Sequence, residues 1–191
     1  AMRAAEPRHS LFDERAPFAD QLEVFASRAF RREATASELA PRLDLYLDAL
    51  SRGACEAEAR EAAIVSVLAS PSFLLRIETG RVEDPSLLTA HEVATRVAYA
   101  FSATMPDDAL RSDAANGAVF DASILRAHAR RLVAKDGARA LAERFFAQWL
   151  RLEDVLAANA DSRRYPQIWK KSLRPAFYEE AVLLCAEIAR E

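Results

Sequence analysis

Apolar residues in this chain return every three or four positions, and no stretch alternates apolar with polar. The first spacing gives a helix one apolar face, whereas a half-buried strand needs a period of two. The chain therefore reads as all-α: an irregular helical bundle of about seven or eight helices, with no sheet. Composition points the same way. Alanine, the best helix former, is abundant, and four glycines and eight prolines among 191 residues suit neither a turn-rich β-sandwich nor a disordered chain.

The pattern begins at Phe18, with Leu22, Phe25 and Ala29 on one face. Thr35 and Glu38 fit a capping box, with Ser37 a competing cap. The helix that follows carries Leu39, Leu43, Tyr46, Leu47 and Leu50, tolerates Pro41 in its first turn and stops at Gly53. A third helix runs from about Cys55 to Ala69 and breaks at Ser70-Pro71. A short apolar turn, Phe73-Leu74-Leu75, follows. Residues 79–88 read as a loop. Thr89 and Glu92 form a second capping box before Val93, Val97 and Phe101. Asp107 caps a short helix, and Asp121 caps another bearing Leu125, His128 and Leu132. Asp136-Gly137 is expected to separate that helix from an aromatic stripe of Leu141, Phe145, Trp149 and Leu152. Tyr165-Pro166 marks a turn, and the last helix starts near Leu173 with Phe177, Leu184 and Ile188. The expected organisation is a flexible N-terminal tail (1–16), an N-terminal helical domain (17–85), and a second helical domain (86–191) truncated at its C-terminal end.

Lys+Arg number 26 and Asp+Glu 29, so a net charge of -3 gives no general attraction to nucleic acid. Arginine far outnumbers lysine, as a GC-rich bacterial genome would give. No run approaches the roughly 18 apolar residues of a membrane span. The start, Ala1-Met2-Arg3, lacks the apolar region of a signal peptide. Two cysteines, Cys55 and Cys185, cannot make a disulfide framework and read as small buried apolar residues, with a single bridge the alternative.

Sites are sparse. His9, His91 and His128 lie far apart, without the spacing of a metal centre. No glycine-rich phosphate loop or nucleophile elbow occurs. The carboxylate pairs Asp107-Asp108 and Glu179-Glu180 are better explained by helix capping and by a solvated face. Arg28, Arg31 and Arg32 make a basic cluster, expected as a patch for a neighbouring domain. Read instead as part of a helix-turn-helix, it is opposed by the acids Glu33, Glu38, Asp44 and Asp48. Arg76 and Glu78 follow an apolar turn, and Arg96 sits one turn after Glu92 on the same helix; such charges are expected to be paired near a core and to staple helices and loops.

Four segments resemble a known family. Phe25-Ala-Ser-Arg-Ala-Phe-Arg-Arg32 with Thr35 and Glu38-Leu39 is similar to an FAxRAFRRPxTxxEL opening. Leu68-Ala-Ser-Pro-Ser-Phe-Leu-Leu-Arg-Ile-Glu78 resembles an SPxFLYRxE ending. Glu92 to Asp107 resembles ELAxRLSYFLWxSMPD, and Phe145-Phe-Ala-Gln-Trp-Leu-Arg-Leu152 resembles FxxQWLxL. These motifs belong to tandem helical domains of unknown function in large exported proteins of planctomycetes, verrucomicrobia and myxobacteria, sometimes fused to a cytochrome c-like domain. The resemblance covers roughly residues 18–191. It departs at Glu33, where the family has proline, and at Phe101-Ser102, where it has Leu-Trp.

The resemblance implies a periplasmic or extracellular setting and singles out Arg76, Glu78, Arg96, Asp107 and Trp149 as motif positions with structural or binding roles. It implies no catalytic residue, metal or cofactor. The expected function is a non-catalytic helical scaffold or interaction module of a larger exported protein. Its partners would be neighbouring domains of the same polypeptide or a redox partner, with no nucleic acid and no membrane span. That reading expects exposed apolar surface near the C-terminal helix. The alternatives are part of an extracellular or periplasmic hydrolase-like enzyme, with a charged cleft of Arg76, Glu78, Arg96 and Asp107, and a cytosolic helical DNA-binding regulator.

Overall fold

Helix formation follows the caps and apolar spacing, and among the described residues no strand forms. The structure, a computed structural model, describes residues 16–84, 87–157 and 173–190. The expected tail, apart from Ala16, lies outside them, as do His9 and the Tyr165-Pro166 turn. The chain divides into two units, Ala1–Thr79 and Gly80–Glu191.

In the first unit, α1 (Phe18–Phe30) buries Phe18, Leu22, Ala26, Ala29 and Phe30 against Ala63 and Val67 of α3 (Glu56–Leu68). Helix α2 (Ala36–Ser51) opens on the Thr35–Glu38 capping box and buries no residue fully. Leu39, Leu43 and Tyr46 half-bury against the core, while Leu47, expected on the same face, is exposed. Pro41 is the sixth helical residue rather than a first-turn one. Lacking an N–H, it leaves the Ser37 carbonyl without its i+4 donor. A single turn, α4 (Pro71–Leu74), follows Ser70 with proline at its first position, and Phe73 packs on the core.

In the second unit, α5 (Ala90–Ser102) opens on the Thr89–Glu92 capping box and α6 (Asp108–Ala115) on Asp107. Asp121 caps α7 (Ala122–Leu132), accepting from the N–H groups of Ser123 and Ile124. Ala94, Ala98, Leu110, Ala114, Val119 and Leu132 form this core. Phe101 half-buries against it, and the Ser102 hydroxyl donates to the Ala98 carbonyl at 2.7 Å.

The Asp136-Gly137 pair does not break the chain. Helix α7 continues through a π turn (Val133–Gly137), α8 (Ala138–Leu141), a second π turn (Ala142–Phe146) and α9 (Ala147–Trp149). Gly137 keeps helical backbone angles. A Cβ at Gly137 would collide with the carbonyl oxygens of Phe101 and Leu132 and lie 2.9 Å from the Leu132 carbonyl carbon. Glycine is required there because the Leu132 carbonyl at the start of the π turn and the Phe101 carbonyl near the end of α5 both crowd the position. After α10 (Glu153–Ala157), α11 (Arg174–Arg190) packs Val182 and Ala186 on Ala138 and Ala142.

Candidate functional site

In the first unit, the two family-like segments meet. Arg31 ends α1 in the left-handed region (φ 62) and is 7% exposed. Its guanidinium donates to the carbonyls of Ser72 (2.8 Å), Phe73 (3.2 Å) and Leu75 (2.8 Å), taking up acceptors at the end of α4. Arg32 donates both terminal nitrogens to Glu38, at 2.9 and 2.7 Å. Glu38 also accepts from the Thr35 N–H and from the Ser72 hydroxyl. The Arg32 fork, aided by Thr35 and opposed by partial burial, lowers the Glu38 carboxyl from the ordinary 4.5 to about 2. The expected basic patch is therefore turned to internal partners at Arg31 and Arg32. Arg76 and Glu78, expected near a core, are exposed in the segment after α4.

In the second unit, Glu92 accepts from the N–H groups of Thr89 (2.8 Å) and Gly80 (3.2 Å). Arg81 lies 4.1 Å from the centroid of the Phe120 ring and donates to the Leu88 carbonyl. Arg96 is exposed on α5. Asp107 accepts from the Leu110 N–H and pairs with Arg131 of α7. That guanidinium hydrogen bond holds the Asp107 carboxyl below its ordinary value. Arg131 also reaches His128 Nδ1 at 2.9 Å, and His128 Nε2 lies 2.8 Å from Asp113. A guanidinium only donates, so Nδ1 accepts and the ring proton on Nε2 goes to Asp113. Both nitrogens of the buried His128 are committed, and Asp113–His128–Arg131–Asp107 ties α6 to α7. Cys55 and Cys185 are free thiols: Cys55 is exposed, correcting its expected burial, and Cys185 is half-buried.

Part of the aromatic stripe is left uncovered by the unit's own packing, although Leu152 packs on the core. Ala138, Ala142 and Ala147 line the buried side of 138–149. In an α-helix a five-residue step would turn Ala147 about 140° from Ala142. The second π turn, with the Ala147 N–H bonded to the Ala142 carbonyl, keeps both inside. Phe145 and Trp149 then face outward, 53% and 68% exposed, with Leu150 beside them. Their rings lie 6.0 Å apart and within 23° of parallel. Gln148 and Arg144 are exposed on the same stretch.

Among the described residues, no group of three His, Cys, Asp or Glu could hold a metal ion. No helix there is long and apolar enough to cross a membrane. A family model described as PSD4, protein of unknown function (DUF1592), matches residues 88–191, more than half of the chain. The chain belongs to the DUF1592 family. A second model, PSD5, protein of unknown function (DUF1595), matches residues 18–78. The DUF1592 segment thus carries the outward aromatic pair and the His128 network, and the DUF1595 segment carries the Arg31–Glu38 arrangement. No curated protein and no solved structure matches the chain.

Proposed function

We propose that this DUF1592 chain is a non-catalytic helical module of a larger exported protein, presenting helix faces to neighbouring domains or to a redox partner. The observation that carries the reading is the outward Phe145–Trp149 pair. Clustered large aromatic side chains turned to solvent at a family-like motif mark a surface suited to a partner, and tryptophan is enriched among the residues that dominate interfaces. The polar groups support the same side. Asp107, a carboxylate a hydrolytic cleft would draw on, is already engaged as the cap of α6 and in its pairing with Arg131. The periplasmic or extracellular setting rests on the resemblance of the four motifs alone.

A photo-crosslinking amino acid at position 149, in the protein produced in its source cell, tests this. The expected result is one discrete adduct mapping to a neighbouring domain or a single partner. Position Glu61, exposed on α3, is the control. Equal, diffuse labelling from both positions would sink the reading.

A further inference from the structure

Arg81 carries a cation that is fixed in place but not neutralised. Its backbone N–H donates to the Leu87 carbonyl at 2.8 Å, and its side-chain Nε–H to the Leu88 carbonyl at 2.9 Å. The guanidinium carbon lies 4.1 Å from the centroid of the Phe120 ring, in the short helical turn Ala118–Phe120. The Nε–H bond and the ring together set the plane of the group, so little side-chain freedom is left to lose on binding. Arg32, Arg131 and Arg139 each meet a carboxylate. Among the described residues Arg81 meets none. Its two terminal nitrogens bond no acceptor there and are not buried.

The surroundings select what would meet it. Val82 is 98% exposed, and Leu87 and Phe120 are about half exposed, so apolar side chains frame the guanidinium. Arginine among exposed apolar residues is the composition of an interface centre, where the partner supplies the counter-charge. The open edge offers two parallel donors, which match the two oxygens of a carboxylate. A phosphate dianion also fits a fork. However, Glu83 and Asp84 are exposed in the same loop, and Glu92 accepts from the Gly80 N–H beside it. These acids repel a double charge more than a single one. We propose that Arg81, held over Phe120, anchors an aspartate or glutamate of a protein partner, set among apolar residues of that partner. The inference rests on the interaction-module reading and adds to it a second contact with a stated chemistry.

The test uses the whole chain and three pools of nine-residue peptides with blocked ends. Each pool has a central glutamate, glutamine or phosphoserine, two mixed leucine, isoleucine or phenylalanine residues on either side, and serine at the ends. On immobilised peptides, the glutamate pool should retain the wild-type protein at least about fivefold over the glutamine pool at low salt. R81Q should abolish that preference, and R81K should keep less than half of it, since an ammonium offers no fixed fork. F120L, which keeps the charge and removes the aromatic ring, should lower it about twofold or more. In the wild-type protein, the Arg81 Nε–H resonance should shift on adding free glutamate peptides and stay in place with glutamine ones; this readout does not depend on any variant folding. Equal retention of the two pools, wild-type preference in R81Q, or an unmoved Nε–H resonance overturns the inference. So does a phosphoserine pool retained above the glutamate pool, since the ligand is then a phosphate. Failure here with a discrete adduct at position 149 removes only this site; diffuse labelling there removes the module reading itself.

Discussion

At Arg31 a left-handed backbone and a buried guanidinium coincide. The αL conformation costs a non-glycine residue about 1 kcal/mol, and here it accompanies a guanidinium that meets three carbonyls of the α4 turn. Replacing Arg31 with Met leaves those carbonyls without their donor. Urea unfolding should show a loss of about 3 kcal/mol, with hydrogen-exchange protection falling first in α1 and α4. Lysine should recover less than half, because one ammonium cannot reach three acceptors in a fixed fork. An unchanged urea midpoint in the Met variant would refute this role. The sequence marked Arg31 and Arg32 as a basic cluster and missed their inward use. An arginine that caps a turn 41 to 44 residues away has no local signature. The one local hint was Glu38: a capping-box acid six residues after Arg32 is within reach of its guanidinium.

At the scale of elements, capping boxes and apolar spacing made most helices legible in the sequence. The Thr35–Glu38, Thr89–Glu92, Asp107 and Asp121 starts all read directly, because each is a contact between neighbours in sequence. The run over 122–149 did not. Asp-Gly is ordinarily a turn signal, and no local rule announces a glycine demanded by the carbonyl of a distant helix end. The Leu141–Phe145–Trp149 spacing marks a stripe but not whether it faces in or out; size alone would favour burying its larger residues. The structure buries the alanines instead. Gly137→Ala should therefore destabilise the second unit by about 2–3 kcal/mol or more, even though alanine is the better helix former. Thermal unfolding decides this: a variant as stable as wild type would mean that the Leu132 and Phe101 carbonyls can both move aside.

For the whole molecule, several carboxylates are held ionised by nearby donors: Glu38 in the first unit, Asp107 and Glu179 in the second. Each has a folded value below its unfolded one. The stability they contribute is fully present above the unfolded value and is lost as pH falls through the folded one. For Glu38 that window runs from 4.5 down to about 2. Urea midpoints measured at pH 6, 4 and 3 should fall more steeply for wild type than for Glu38→Gln, which has no proton to take up there. Parallel curves would show that Glu38 is not what acid attacks. The candidate site was half legible at this scale. The aromatic motif was visible as residues, but its outward orientation depends on two π turns that sequence periodicity does not encode.

The alanine-lined inner faces have a consequence for how this chain can change over time. Where two helices meet through side chains no larger than a methyl group, almost any larger substitution is a collision, so the interior tolerates little drift. The outward positions Phe145, Trp149, Leu184 and Ile188 carry no such constraint from their own unit. On the interaction-module reading, a lineage of such chains could rewrite its partners by exchanging bulky residues on the outside while the helix spacing beneath stays fixed.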